Sequence, residues 1–316
     1  MDGQAGKRRD WVAMRRDAET GVETIRAHFQ GHAYDLHDHD ELLVGVTEQG
    51  VQAFRCRRRL HTSTPGRVIL IEPGEAHDGH SPGDDGFTYA MLYLPVPLLA
   101  ARADALRSLM PRPPALGFRD TLADDPRLAA AIGGAFLALH GREGRLARDL
   151  ALDRLAARLA GHVAPLGALS GPPAGALRDR PDRAAVRARD LLHARMGEDV
   201  GLDDLAAASG VDRFRLNRAF RAAFGLSPHA YLVRLRLRAA RRRLAAGEAP
   251  ALVAAEVGFA DQSHLGRWFR RAYGLTPAAY RDLAGRDIAG RDIVGCDPAA
   301  RDLCTNVPDR SGRHRA

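Results

Sequence analysis

Lysine is nearly absent from this 316-residue chain: Lys7 stands alone among 47 basic residues. Positive charge is therefore carried by guanidinium groups, which suit forked contacts to phosphate and guanine. GC-rich coding produces the same bias, so arginine usage alone assigns no partner. Cysteine is scarce as well. Cys56, Cys296 and Cys304 are odd in number, far apart and without metal-ligand spacing. They exclude a disulfide scaffold and argue for a reducing compartment. The first residues, "MDGQAGKRRDW", lack the apolar stretch of a secretory signal, and no run approaches the length of a membrane span. A cytoplasmic protein with no membrane partner is expected.

What is present fits a soluble globular protein, with 45% hydrophobic and 27% charged residues. The length allows two domains with real cores. The net charge of +8 and isoelectric point near 10.1 leave nucleic acid and anionic surfaces both open as partners.

The chain changes character along its length. Residues 22–94 hold short β-branched and aromatic runs ("VETIRAHF", "ELLVGV", "VQAFRC", "RVILI", "FTYAMLYL") separated by turn compositions such as "STPG" and "SPGDDG". Closely spaced short strands predict a barrel or sandwich. Three Ala/Leu/Arg-rich helices follow, the last with Leu152, Leu155, Leu159 and Val163 on one stripe. That stripe has two readings: packing on its own barrel, or pairing with a second subunit. The Gly/Pro-rich segment 164–182 reads as a linker, residues 183–282 as a helical domain, and 283–316 as a disordered tail.

The helical domain repeats itself. "LNRAFRAAFGLSPHAYL" (216–232) returns as "LGRWFRRAYGLTPAAYR" (265–281), and Gly210 upstream of the first copy aligns with Gly258 upstream of the second. A short Ala-rich helix, a glycine turn and a second helix with buried Leu and Phe follow the helix-turn-helix pattern. Leu216 and Phe220, like Leu265 and Phe269, are spaced to face a core. Outward positions are then Phe214, Asn217, Arg218 and Arg221 in one copy, and Gln262, Ser263, Gly266, Arg267 and Arg270 in the other. Amide and guanidinium groups on an exposed helix read adenine and guanine edges. Residues 182–282 contain 18 arginines against 11 acidic residues. "RLRLRAARRRL" (234–244) lies on the connecting helix with Arg234, Arg238 and Arg241 on one face, and Arg241 is expected to meet phosphate. An uninterrupted helix from His229 to Ala246 would hold the two reading helices about one DNA turn apart.

The twin units, "VAAEVGFADQSHLGRWFRRAYGLTPAAYR" and the two "G-L-[ST]-P" closures resemble the AraC/XylS family of transcription regulators. The resemblance implies recognition helices in successive major grooves, with contact roles for Phe214, Asn217, Arg218, Gln262, Ser263 and Arg267. Gly266 departs from the polar residue usual at its position. The family favours activation, with RNA polymerase as a further partner and a homodimer as the working form.

The strand-rich half contains "LHDHDE" (36–41) and "PGRVILIEPGEAHDGH" (65–80). His37, His39 and Glu41 alternate, so they are expected on one strand face with His77 nearby, lining a site for a small effector. Three imidazoles and a carboxylate could also hold a divalent metal. This half is similar to the cupin barrel that precedes many such DNA-binding domains, although Glu41 falls earlier than in the metal-binding cupin pattern. The fold expected is an α+β two-domain chain: a cupin-like barrel with flanking helices (1–163), then an all-α double helix-turn-helix domain. The function expected is a ligand-responsive regulator of double-stranded DNA, without catalysis or a resident cofactor. The alternative is a metal-dependent cupin enzyme fused to a DNA-binding domain.

Overall fold

A computed structural model describes residues 10–106, 116–165 and 182–285. The N-terminal half begins with nine strands: β1 (Trp11–Arg16), β2 (Glu23–Phe29), β3 (His32–His37), β4 (Leu42–Gly50), β5 (Gln52–Cys56), β6 (Arg59–Ser63), β7 (Val68–Ile71), β8 (His77–His80) and β9 (Phe87–Leu94). Helix α1 (Val96–Leu106), strands β10 (Leu116–Phe118) and β11 (Leu122–Ala123), helices α2 (Pro126–His140) and α3 (Arg145–Leu159), and β12 (Val163–Pro165) follow.

The strands form a six-stranded sheet in the order β1-β2-β9-β4-β7-β11, a four-stranded sheet β3-β8-β5-β6, and the small pair β10-β12. The expected barrel is thus two sheets around a shared core, with no ladder closing them among the described residues. Strand β9 shows why the halves hold together. Phe87, Tyr89, Met91 and Tyr93 point into the space between the sheets, whereas Ala90, Leu92 and Leu94 point at α2 and α3. Both faces are buried, so the strand reads as a continuous apolar run rather than an alternation. Leu152, Leu155 and Leu159 lie in that outer layer. The leucine stripe therefore packs on its own sheet. Strand β12 pairs Ala164 and Pro165 with Gly117 and Leu116, two residues past the expected domain end. The rest of the linker and the tail beyond residue 285 lie outside the described residues.

The C-terminal half comprises α4 (Arg183–Ala194), α5 (Leu202–Ser209), α6 (Arg213–Phe224), α7 (Pro228–Ala245), α8 (Pro250–Val257), α9 (Gln262–Tyr273) and α10 (Pro277–Ala284). The repeated sequence is helix punctuation. Asp212 and Asp261 cap the starts of α6 and α9, their carboxylates accepting from Phe214, Arg215 and His264 N–H. Gly225 and Gly274 end the two helices at φ 76° and 71°, in the left-handed region that favours glycine. Ser227 and Thr276 then cap α7 and α10, each with proline in the first turn. The caps shift α7 to Pro228–Ala245, one residue earlier at each end than expected. No helix among the described residues is long and apolar enough to cross a membrane.

The two helix-turn-helix units are supported differently. The first, α5–α6, has its own core with α4, built on Ala188, Leu192, Leu205, Leu216, Phe220 and Leu232. The second, α8–α9, shares one continuous core with the inner faces of the sheets.

Candidate DNA interface and sensing site

The outward faces of α6 and α9 carry the expected reading residues. Phe214 is 74% exposed. Arg218, Arg221, Gln262, Ser263, Arg267 and Arg270 are exposed too, and Gly266 is half-buried. None of those four guanidiniums has a carboxylate partner among the described residues, which leaves them free for phosphate or guanine. Asn217 departs from expectation: it is half-buried, and its Oδ1 is buried without a hydrogen-bond partner.

The connecting helix α7 corrects a second expectation. Arg234, Arg238 and Arg241 do share a face, but that face meets the N-terminal domain. Arg241 is 6% exposed. It pairs with Glu23 and, at 2.5 Å, with Glu41, while Tyr93, Tyr273 and Tyr280 pack around its guanidinium. Arg234 pairs with Asp38, Arg238 with Asp40 at 2.5 Å, and Arg242 with Asp40 at 2.6 Å. Two contacts extend the joint: Tyr280 donates to Glu23 at 2.7 Å, and Arg271 reaches Asp35 at 2.6 Å. A buried guanidinium held by two carboxylates is not available to phosphate in this arrangement, so Arg241 leaves the DNA-contact set.

The histidines do come together. Among the described residues, His37, His39 and His77 each place a ring nitrogen within 4.8 Å of the others, and all three are buried. They do not share a strand face as expected, since β3 ends at His37 and residues 38–41 turn away from it. Glu41 points to Arg241 and does not join them. Within this short segment the work is divided. His37 and His39 line the internal cavity, while Asp38, Asp40 and Glu41 face α7.

Ring contacts surround the cluster. Tyr34 meets His37, Tyr93 meets His39, and Tyr273 of α9 meets both at centroid separations of 5.2 and 5.4 Å. His37 Nδ1 lies 2.7 Å from the Asp35 carbonyl and His77 Nδ1 lies 3.1 Å from that of Glu75. Burial is the main reason the imidazoles are held neutral, with His77 lowered to about 4. Neighbouring imidazoles and guanidiniums push His37 and His39 the same way. The cavity bounded by these side chains has a volume of about 30 Å³. Cys56 is a buried thiol, pushed up to about 12 chiefly by burial, so it is unreactive.

Sequence reasoning did not single out Glu23, Asp38, Asp40 or Tyr273 as site residues. The signal available was complementarity. The acidic run "DHDE" (38–41) and the basic run "RLRLRAARRR" (234–243) are of opposite sign and similar density.

Residues 19–156 match the model of an AraC-like ligand binding domain, and residues 205–282 match that of a helix-turn-helix domain. An uncharacterized HTH-type transcriptional regulator of Bacillus subtilis, YbfI, is 22% identical over 250 residues, covering 78% of this chain and 87% of that one. Among solved structures, apo ToxT of Vibrio cholerae superposes with a TM-score of 0.52 at 12% identity, over 85% of this chain and 99% of its own. At that identity the likeness is one of fold.

Proposed function

The chain belongs to the AraC/XylS family of transcriptional regulators, a ligand-binding domain ahead of a helix-turn-helix DNA-binding domain, and from that premise we propose how its halves communicate. A small effector held beside His37, His39 and His77 alters the ion-paired joint on α7, and so changes how α6 and α9 are presented to DNA. The observation carrying this reading is the segment from His37 to Glu41. Its imidazoles line the cavity while its carboxylates hold Arg234, Arg238 and Arg241. A ligand that shifts the imidazoles must move the same backbone that holds the arginines, which is a coupling between distinct sites.

Base reading falls in this proposal to Arg218, Arg267, Gln262 and Phe214, with Arg221 and Arg270 toward phosphate and Ser263 to either, while Asn217 sits half-buried at the edge of this face. Activation through RNA polymerase and operation as a homodimer belong to the same reading. For the dimer, Leu137 and Leu146 on the outer faces of α2 and α3 offer exposed apolar surface, at 63% and 83%. The enzyme alternative drew on Glu41 as a ligand beside the imidazoles, and Glu41 pairs with Arg241 instead.

The test is a footprint of the full chain on DNA upstream of its own and adjacent genes, repeated across a metabolite panel. Protection of two short base clusters about 10 bp apart, modulated by one metabolite, is expected. A footprint that neither a metabolite nor a divalent metal ion changes would remove the sensing half of this reading.

A further inference from the structure

We propose that His37, His39 and His77 form a site for a divalent transition-metal ion of the imidazole-preferring class, with zinc the first candidate. This rests on the reading that the N-terminal domain is a sensor and names the chemistry it senses.

The geometry comes first. Ring centroids are 4.7, 4.6 and 5.3 Å apart, with the ligand atoms inside a 4.8 Å sphere of one another. Zinc–imidazole bonds of about 2.0–2.1 Å bring ligand atoms to about 3.3 Å from each other, a shift of under about 1 Å per ring. Shifts of that size combine ring rotation with a small movement of residues 37–41, the segment whose carboxylates hold α7.

Hydrogen bonding fixes the tautomers. A backbone carbonyl can only accept, so the Nδ1 atoms of His37 and His77 carry their protons toward Asp35 and Glu75. Their Nε2 lone pairs are left without a protein partner among the described residues. A metal-binding histidine characteristically donates its second ring nitrogen to such a carbonyl. His39 is less satisfied still, with both ring nitrogens buried and no hydrogen bond to either. Such groups are rare in folded proteins and call for an explanation. A cation at the centre supplies what three converging acceptors lack.

Size and donor type narrow the ligand. Organic effectors usually occupy about 300 Å³ or more. The space enclosed by the three imidazoles, at about 30 Å³, takes an ion and about one or two waters, whereas the adjoining hollow of about 390 Å³, lined by His39, Glu41, Arg241 and Tyr273, has the size an organic effector needs. An all-imidazole set suits zinc, copper, nickel or ferrous iron, and disfavours magnesium and calcium, which want oxygen. With Glu41 held by Arg241, no carboxylate among the described residues joins the three imidazoles.

The experiment titrates the full chain, free of any affinity tag and stripped of metal by chelation, with cobalt(II) and then zinc. One equivalent of cobalt should give the visible ligand-field bands of a low-coordinate ion, and zinc should displace it. His39→Gln and His77→Gln should each weaken cobalt binding by about tenfold or more. His80→Gln, altering a strand histidine outside the cluster, should not. If a cluster variant fails to fold, the wild-type chain still decides: its melting temperature must rise with zinc, in step with the measured affinity. Absence of stoichiometric uptake of cobalt, zinc, nickel and copper would overturn the proposal, as would uptake indifferent to the cluster. A chain that takes up no metal yet gives a metabolite-dependent footprint loses this site and keeps the regulatory reading. Uptake at the cluster by a chain that protects no DNA supports the site and sinks the regulatory reading.

Discussion

Arg241 Nη1 lies 2.5 Å from Glu41 Oε2, joining the helix between the two DNA-reading units to a carboxylate two hundred residues earlier. With Glu23 on its other side and three tyrosine rings around it, the guanidinium is the most buried arginine in the joint. Removing one partner of a buried ion pair leaves the others uncompensated, which is worse than removing the whole set.

The Arg241→Met variant is therefore expected to lose about 3–5 kcal/mol of stability. Glu23→Gln together with Glu41→Gln in that background should recover part of it. Chemical denaturation of the four chains closes the cycle. Binding of random DNA should not fall, and the slope of log affinity against log salt should stay unchanged. A slope smaller by about 1 would return Arg241 to the phosphate contacts.

Arg218→Ala and Arg267→Ala should each weaken specific DNA binding by about 1–3 kcal/mol while leaving random DNA much less affected. Both side chains are exposed and free of ion pairs, so stability should barely change. Gel shifts on the footprinted fragment and on random sequence separate the outcomes. Equal losses on both would make the residue a phosphate contact.

The two turn glycines should respond unequally to alanine. Gly210 has φ +70° with open space where a Cβ would sit. Its alanine variant should cost about 1 kcal/mol for the backbone conformation alone. Gly258 has φ +90°, and an added Cβ would lie 2.9 Å from the Gly197 carbonyl oxygen and 2.8 Å from Arg236 Nη2. Arg236 donates to the Met196 and Glu198 carbonyls, so it cannot simply swing aside. Gly258→Ala should be clearly the worse in thermal melts; a reversed order would mean the turn relaxes freely.

Helix α7 is 18 residues long, roughly 27 Å at 1.5 Å per residue. A rigid spacer of that length demands two base clusters on one face of the duplex, about 10 bp apart. Inserting about half a helical turn between the clusters should abolish most specific affinity, and a full turn should not restore it for one subunit. Affinity that declines smoothly with insert length would mean that only one unit reads DNA.

The DNA-binding half was legible because its signals are local. Aspartate caps, closing glycines and Ser/Thr-Pro restarts each act within four residues, and the duplication states them twice. The sensing half was legible only where strands bury both faces. "FTYAMLYL" announces β9, but "HAYDLH" and "HDGH" are too polar and glycine-marked to announce β3 and β8. The alternation of His37, His39 and Glu41 suggested one strand face, yet the strand stops at His37 so that the next acids can reach α7. Arginines spaced three and four apart on a helix look the same whether they meet phosphates or carboxylates. Only the packed chain shows that Asp38, Asp40, Glu23 and Glu41 stand opposite them.

The unequal support of the two helix-turn-helix units has a consequence for cooperativity. Helices α4 to α6 share a separate core with the start of α7 at Leu232, whereas α8 and α9 are built into the core of the sheets. Covalent order places the boundary at the linker before residue 183, but the two cores meet later, within α7, where Leu232 faces one and Val233 and Leu237 face the other. Amide hydrogens of α5 and α6 should then exchange through a local opening that leaves α8, α9 and the sheets protected. Half of the DNA-reading apparatus breathes on its own, and the other half opens only when the sensor does.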